Sequence, residues 1–183
     1  MIKLKQLLLE STAPDIFIPR RIENRLERMI ALYVRNGSKG DLDLDYLKLT
    51  VLPDMLKDIT VGGDFLCRYN KLTSLINVPK SVGEDFDCSV NKLTSLINAP
   101  SSVGGYFDCS VNSLTSLEGA PKTVGGDFIC YNNKLKSLTG APKFVGGEFS
   151  CHTNPGKFTE QDVRAVCDVK GNVYVWLSLK IYY

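Results

Sequence analysis

A unit of 21 residues recurs along this chain and constrains its fold more than any other feature. The stretch that starts at Val124 reads VGGDFICYNNKLKSLTGAP. Versions of it start at Val61, Val82 and Val103, and a truncated one starts at Val145. A fixed period of about 20–50 residues indicates a solenoid, in which each unit buries its apolar residues only against its neighbours.

The unit itself predicts a short strand followed by a turn. Its Phe-x-Cys segment alternates with period two, so both side chains point to one face of the strand. The Gly pair before it predicts a sharp turn with positive φ, and the Asn after it closes the next turn. Two leucines fill the interior from the return side, and the strands stack into one parallel sheet. The Phe and Cys positions are Phe65, Phe86, Phe107, Phe128, Phe149, Cys67, Cys88, Cys109, Cys130 and Cys151.

These motifs resemble a known family. The pattern FxCxxNxLxxL is similar to the leucine-rich-repeat consensus LxxLxLxxNxLxxL, over residues 41–156. The Gly-Gly pair and the Cys column depart from that consensus. The sequence pattern VGGDFxCxxNKLTSLEGAPK also resembles that of proteins encoded by large tailed bacteriophages. The resemblance implies a short right-handed leucine-rich-repeat solenoid, a parallel β-sheet stack of α/β type, whose sheet face binds partners.

Three regions follow from the pattern. Residues 1–39 are expected to form an arm and a capping helix, residues 40–156 the solenoid, and residues 157–183 a helix-strand cap. In the first region Ile22, Leu26, Ile30 and Val34 recur at i+4 spacing before Gly37, as in an amphipathic helix. In the last region Thr159 is a predicted N-cap, and NVYVWLSLKIYY alternates as a strand.

The chemistry-bearing residues do not form a catalytic pattern. Five of the six cysteines lie in the ladder, where stacked strands offer a line of thiols rather than the tetrahedron that zinc requires. The single histidine, His152, lies next to Cys151, but strand neighbours point to opposite faces. No glycine motif for a nucleotide is present. We therefore expect no enzyme activity, no metal and no cofactor.

The outward strand positions are the candidate binding site. Tyr106 and Tyr131 form its predicted centre, and carboxylates surround them. Tyrosine is enriched at interface centres because it buries a large area and keeps a polar tip. A solvated acidic face without a ligand, or one that holds a cation, is the alternative. The predicted protein-binding residues are Asp64, Asp85, Asp87, Tyr106, Asp108, Asp127, Ile129, Tyr131 and Glu148.

Charge and hydropathy limit the partner class. The net charge is +2, which favours neither nucleic acid nor a membrane surface, and no apolar run reaches the length of a membrane span. The expected partner is a protein, and the expected location is the bacterial host cytoplasm or a virion. A structural subunit of a phage virion and a host-targeting or anti-defence binder remain open. A competing contact surface is the basic N-terminal segment with Arg20, Arg21, Arg25 and Arg28.

Overall fold

The computed structural model describes residues 25–176, and these form a parallel β-solenoid. Each 21-residue unit is one turn, as the repeat predicts. The strands of successive turns pair in register, for example Phe86 with Phe107 and Phe107 with Phe128. The predicted arm, Ile22, Arg20, Arg21 and the tail from residue 177 lie outside the described residues.

Two sheets run along the solenoid, where the sequence predicted one. The seven-stranded phenylalanine sheet contains β1 (Leu42–Asp43), β3 (Phe65–Leu66), β5 (Phe86–Asp87), β7 (Phe107–Asp108), β9 (Phe128–Ile129), β11 (Phe149–Ser150) and β13 (Val173–Tyr174). The six-stranded valine sheet contains β2 (Thr60–Val61), β4 (Ser81–Val82), β6 (Ser102–Val103), β8 (Thr123–Val124), β10 (Phe144–Val145) and β12 (Asp168–Val169). A Gly pair separates the two strands of most turns, and Gly83-Glu84 and Lys170-Gly171 take its place in the other two.

The corner between the two strands of a turn differs in its bonding from the strands themselves. Just before it, the N–H of Gly125 donates to the carbonyl of Val103 in the preceding turn at 3.0 Å. Just after it, the N–H of Phe107 donates to the carbonyl of Asp127 in the following turn at 2.8 Å. At the corner a side chain accepts instead, as when the N–H of Tyr106 donates to Oδ1 of Asp85 in the preceding turn.

The glycines of the pair are needed for close approach, so the prediction of positive φ was wrong. None of the paired glycines appears among the residues with positive φ. A Cβ on Gly104 or Gly125 would instead collide with the carbonyl oxygen of the equivalent glycine one turn earlier. A Cβ on Gly105 or Gly147 would collide with an aspartate carboxylate of the preceding turn. At these four glycines the turns approach so closely only because the side chain is missing.

The interior is a set of stacked columns, as predicted for Phe, Cys, Leu and Val. The five phenylalanine rings follow one another at centroid distances of 5.0–5.7 Å. All six cysteines are free and buried. Each column thus supplies one apolar side chain per turn to a continuous core.

Five of the turns are closed by an asparagine whose amide binds two turns. The Nδ2 of Asn112 donates to the carbonyls of Cys109 in its own turn and Cys88 in the preceding one, and its Oδ1 accepts from the N–H of Leu93. The same three bonds recur at Asn70, Asn91, Asn133 and Asn154, with Leu44 in the Cys position of the first turn. The amide groups therefore connect the turns along the whole solenoid.

Helix α1 (Arg25–Arg35) packs on the first turn and only partly matches its predicted face. Ile30 is buried and Leu26 packs against the core, whereas Val34 is 41% exposed. Tyr33 is buried instead, and its hydroxyl lies 2.9 Å from the carbonyl oxygens of both Ser38 and Gly40. The i+4 spacing missed this residue because the buried stripe drifts around a helix of 3.6 residues per turn.

The C-terminal part adds a helix and one further turn. Helix α2 (Glu160–Val166) begins with the predicted N-cap Thr159, which forms a capping box with Asp162. β12 and β13 then pair with β10 and β11, so residues 168–176 form another solenoid turn rather than a separate strand. In residues 25–176, neither helix is long and apolar enough to cross a membrane. A 3₁₀ helix, η1 (Asp54–Leu56), lies in the first turn.

Candidate functional site

The predicted site residues lie on the face of the phenylalanine sheet opposite the core, which we call the outer face. They occupy three columns that run across the turns, with in-register neighbours such as Asp87 with Asp108 and Asp108 with Ile129. Eight of the nine are partly exposed, and Asp87 is the exception at 3% exposure. The face is thus a shallow surface rather than a pocket.

The first column is held by bonds between carboxylates and backbone groups. The N–H of Tyr106 donates to Oδ1 of Asp85 at 2.8 Å, and the N–H of Glu148 donates to Oδ1 of Asp127 at 2.7 Å. Asp41 and Asp64 accept equivalent bonds from the turns that follow them. These N–H groups lie at the corner between the two strands of a turn, where the aspartate side chain accepts in place of a backbone carbonyl. The column is therefore structural in part.

Tyr106 interrupts this column. A tyrosine has no carboxylate at this position, so the N–H of Asp127 lacks the acceptor that an aspartate provides in four other turns. The ring is partly buried, and burial followed by the charges of Asp87 and Asp85 raises the pKa of its hydroxyl well above the usual range. The hydroxyl is consequently a neutral hydrogen-bond donor among carboxylates.

A small ion-pair cluster occupies the first turns of the face. The Nε of Arg68 lies 2.6 Å from Oδ2 of Asp45, and its Nη1 lies 3.6 Å from Oδ2 of Asp87. Ser89 donates to Oδ1 of Asp87 from both its N–H and its hydroxyl. Burial raises the pKa of Asp45 although Arg68 opposes this effect. The charges of Asp45 and Asp87 are largely satisfied within the chain.

The carboxylate of Asp108 has fewer hydrogen-bond and ion-pair partners than that of its neighbour Asp87. Its Oδ1 accepts from the N–H of Ser110 at 2.8 Å, and the facing base, Arg68, lies two turns away. Burial raises the pKa of Asp108 to about 6, Ser110 opposes this shift, and the charge of Asp87 adds to it. Asp108 is therefore a partly buried carboxyl group that titrates close to neutral pH.

Aromatic side chains dominate the last turns of the face. The rings of Tyr131 and His152 stack at a centroid distance of 4.7 Å and an interplanar angle of 9°. Burial lowers the pKa of His152, and its Nδ1 lies 2.9 Å from the hydroxyl of Thr153. By register, Trp176 continues this row one turn further and is 62% exposed.

Tyr174 and Trp176 are site residues that the sequence analysis missed. Tyr174 follows Ser150 in the middle column, and its hydroxyl lies 3.2 Å from Oε1 of Glu148. Helix α2 changes the spacing of the last turn from 21 to 24 residues, as the pairing of Phe149 with Val173 shows. A search for the VxGxxxV pattern at a variable offset would have found both residues.

Metal and thiol chemistry have little support among the described residues. Carboxylate oxygens of Asp41, Asp64 and Glu84 lie within 4.8 Å of one another, but Asp41 and Asp64 already accept backbone hydrogen bonds. Burial raises the pKa of every ladder cysteine, which disfavours the reactive thiolate. Neither group adds a site to the outer face.

The chain matches no protein-family model, and no curated protein is significantly similar to it in sequence. The site's own geometry therefore carries the functional argument.

Proposed function

We propose that this protein is a non-catalytic binding module whose protein partner docks on the outer face, centred on Tyr106 and Tyr131. Tyr106 carries the proposal. An aspartate at this position would complete the carboxylate column and accept a hydrogen bond from the N–H of Asp127. The tyrosine does not accept this bond. A local departure from a repeating structural rule, without a compensating contact, is typical of a functional position.

The charge distribution of the face defines the partner's chemistry. The early turns contribute mainly carboxylates. The late turns contribute Asp127 and Glu148 beside an apolar and aromatic set: Ile129, Tyr131, His152, Tyr174 and Trp176. A complementary partner would present basic residues to the acidic half and apolar or aromatic residues to the other half. In protein interfaces, Tyr and Trp are enriched at the centre, and this face offers such residues beside charged ones.

We further assign the solenoid to the leucine-rich-repeat class, with α1 and α2 as its caps. The assignment rests on the FxCxxNxLxxL pattern and on the asparagine ladder, which is similar to that of leucine-rich repeats. The capping role of α1 is supported by Ile30 and Tyr33, which cover core residues at the first turn. Terminal units of a solenoid need such covers because they lack a neighbour on one side.

A role in a tailed bacteriophage, as a virion subunit or as a free binder in the host cytoplasm, rests on the sequence resemblance alone. Mass spectrometry of purified particles separates these two roles. A virion subunit would be recovered at a fixed ratio to the coat proteins, whereas a free binder would be depleted from the particles.

Binding is tested with the immobilised full chain and a bacterial extract, with retained proteins quantified by mass spectrometry. The variant Tyr106→Ala with Tyr131→Ala should weaken retention of the partner by about 2 kcal/mol or more. The variant Tyr46→Ala with Tyr69→Ala is the matched control. It removes two exposed tyrosines, stacked at 4.4 Å, from the turns beside the face.

Charge reversal of Arg25 and Arg28 on α1 tests the competing surface. Retention should survive this reversal if the partner contacts the outer face. Retention that survives the double tyrosine change and disappears with the arginine changes would show that α1, and not the outer face, makes the contact.

A further inference from the structure

One edge of the solenoid carries a row of lysines that runs across successive turns, where the chain leaves the outer face. The N–H of Lys71 donates to the carbonyl of Leu49 in the preceding turn at 2.8 Å, and that of Lys134 donates in the same way to Leu114 at 2.9 Å. Leu49 and Leu72 both donate to a ladder asparagine, which gives the residue before each of them the same position in its turn. The resulting column, which we call the lysine edge, contains Lys48, Lys71, Lys92 and Lys134, with Ser113 in the remaining turn.

The lysine edge is exposed and has no carboxylate of its own. All four lysines are exposed, and among residues 25–176 none of them belongs to an ion pair. The segments that form this side of the turns contain no Asp or Glu: 46–53, 68–76, 89–97, 110–117 and 131–138. Neighbouring turns lie about 4.8 Å apart, so like charges follow one another without compensation. The edge therefore generates a continuous line of positive potential.

A row of exposed hydroxyls accompanies the lysines. Lys71 and Thr73 are both exposed, whereas Leu72 between them is buried, so the lysine and the threonine lie on the same side of the chain. In the turn of Lys134 a fifth lysine, Lys136, takes the threonine position. The hydroxyl row contains Thr50, Thr73, Thr94 and Thr115. Lysine and threonine side chains are common partners of phosphate oxygens, so both rows fit a chain of phosphates.

Two tyrosines distinguish the kind of polyanion that this edge fits. Tyr46 and Tyr69 lie two residues before Lys48 and Lys71, and they are 63% and 45% exposed. Their rings stack on each other at a centroid distance of 4.4 Å. Unpaired bases stack on exposed aromatic rings beside a positively charged track, whereas a duplex hides the faces of its bases. An acidic protein would use the lysines but not this aromatic platform.

We propose that the lysine edge binds single-stranded nucleic acid, with phosphates against the lysines and threonines and with bases stacked at Tyr46 and Tyr69. This site is separate from the outer face and goes beyond the proposed binding of a protein there. The acidic columns of the outer face would repel the strand and keep it on the edge. The net charge of +2 did not indicate this site, because it averages the acidic face and the basic edge.

Fluorescence anisotropy of the full chain with a labelled oligothymidylate of about 16 nucleotides tests the site over a series of salt concentrations. Each phosphate contact contributes about −0.7 to the slope of log K against log salt, so four lysines predict a slope of about −3. The triple variant Lys71→Gln, Lys92→Gln and Lys134→Gln should make the slope less steep by about 2.

The matched control is the triple variant Lys80→Gln, Lys122→Gln and Lys143→Gln. It removes the same charge from exposed lysines of the same repeats, but beside the valine sheet. This control should keep the slope of the unaltered chain. Equal changes in the two triple variants, or no binding by the unaltered chain, would overturn the proposal.

The tyrosine pair tests whether the polyanion is a nucleic acid. Tyr46→Ala with Tyr69→Ala should weaken binding of the oligothymidylate by about fivefold or more and leave its salt slope unchanged, because stacking carries no charge. Polyglutamate of the same number of charges should compete poorly with the oligothymidylate. Strong competition by polyglutamate together with unaltered binding by the tyrosine variant would assign the edge to an acidic protein instead and contradict the proposal.

Discussion

The backbone N–H of Tyr106 donates to Oδ1 of Asp85, 2.8 Å away in the preceding turn. Asp85 accepts this bond at the corner between the two strands of the turn, where its carboxylate takes the place of a main-chain oxygen. The same side chain also borders the outer face, where burial and the charge of Asp64 raise its pKa. One aspartate thus connects two turns and contributes to the charge of the proposed binding surface.

Removing this acceptor should destabilise the solenoid. Asp85→Ala leaves the N–H of Tyr106 without a partner, at a cost of about 1–3 kcal/mol in the free energy of unfolding. Glu118→Ala is the control, because it removes an exposed carboxylate with the same charge. Urea unfolding of both variants measures the difference. Equal losses in the two variants would show that the bond to Tyr106 contributes nothing.

Tyr106 interrupts the carboxylate column, so a side chain that restores an acceptor at this position should raise the stability of the fold. Tyr106→Asn offers an amide oxygen to the N–H of Asp127, as aspartate does in other turns, whereas Tyr106→Ala offers none. The asparagine variant should therefore be more stable than the alanine variant by about 0.5–1.5 kcal/mol, and both should lose partner binding. Thermal unfolding and the retention assay together check this, and identical stabilities would contradict it.

The repeat predicted the side-chain directions well because strand alternation is a local property. Phe107 and Cys109 both point into the core, as period two requires. The role of Gly105 was not predictable in the same way. Glycine serves either positive φ or close approach, and only the position of the Asp85 carboxylate in the preceding turn distinguishes these two uses.

The sequence predicted which residues lie on the outer face, but not the ion pairs and hydrogen bonds that they form with one another. Asp87 was expected to be available to a partner, yet Arg68 and Ser89 cover and bind it. Such coverage depends on contacts between adjacent turns, which the order of residues in one turn does not specify. Trp176 was missed for a related reason, since the longer spacing across α2 hides the last turn.

The residue before each ladder asparagine adopts a left-handed conformation, and two of these residues are valines. Val90 and Val111 have φ of +52° and +53°, while Asn132 occupies the same position one turn later at +52°. A β-branched residue is strained there, so Val111→Asn should stabilise the fold by about 1 kcal/mol. Val111→Thr is the control, because it keeps the β-branch at this position. Equal melting temperatures for the asparagine and threonine variants would exclude a conformational origin.

The buried thiols should react in a defined order. Burial raises the pKa of Cys167 to about 11 and that of Cys151 to about 12, and places the ladder thiols from Cys67 to Cys130 well above their usual range. Because the thiolate is the reactive form, a thiol reagent should label Cys167 first, then Cys151, and the others only after unfolding. Peptide mass spectrometry over time gives the order. Early labelling of Cys88 or Cys109 would contradict their position in the core.

Asp108 predicts how stability changes with pH. Burial raises its pKa in the folded chain to about 6, whereas an unfolded aspartate titrates near 3.9. The folded state therefore binds the proton more tightly, and its stability falls as the pH rises from about 4 to about 6. Asp87, Arg68 and Tyr106 face this group, so its own contribution is isolated by comparison with Asp108→Asn.

The side chain of the Asp108→Asn variant cannot ionise, and its amide oxygen still accepts from the N–H of Ser110. Relative to the unaltered protein it should gain up to about 3 kcal/mol between pH 4 and pH 7, because the charge that burial disfavours is absent. Asp58→Asn, at an exposed position outside the face, should show no such gain. Urea unfolding at each pH provides the measurement. A stability difference between Asp108→Asn and the unaltered chain that stays constant across this range would mean that the carboxyl group of Asp108 titrates normally in the folded protein.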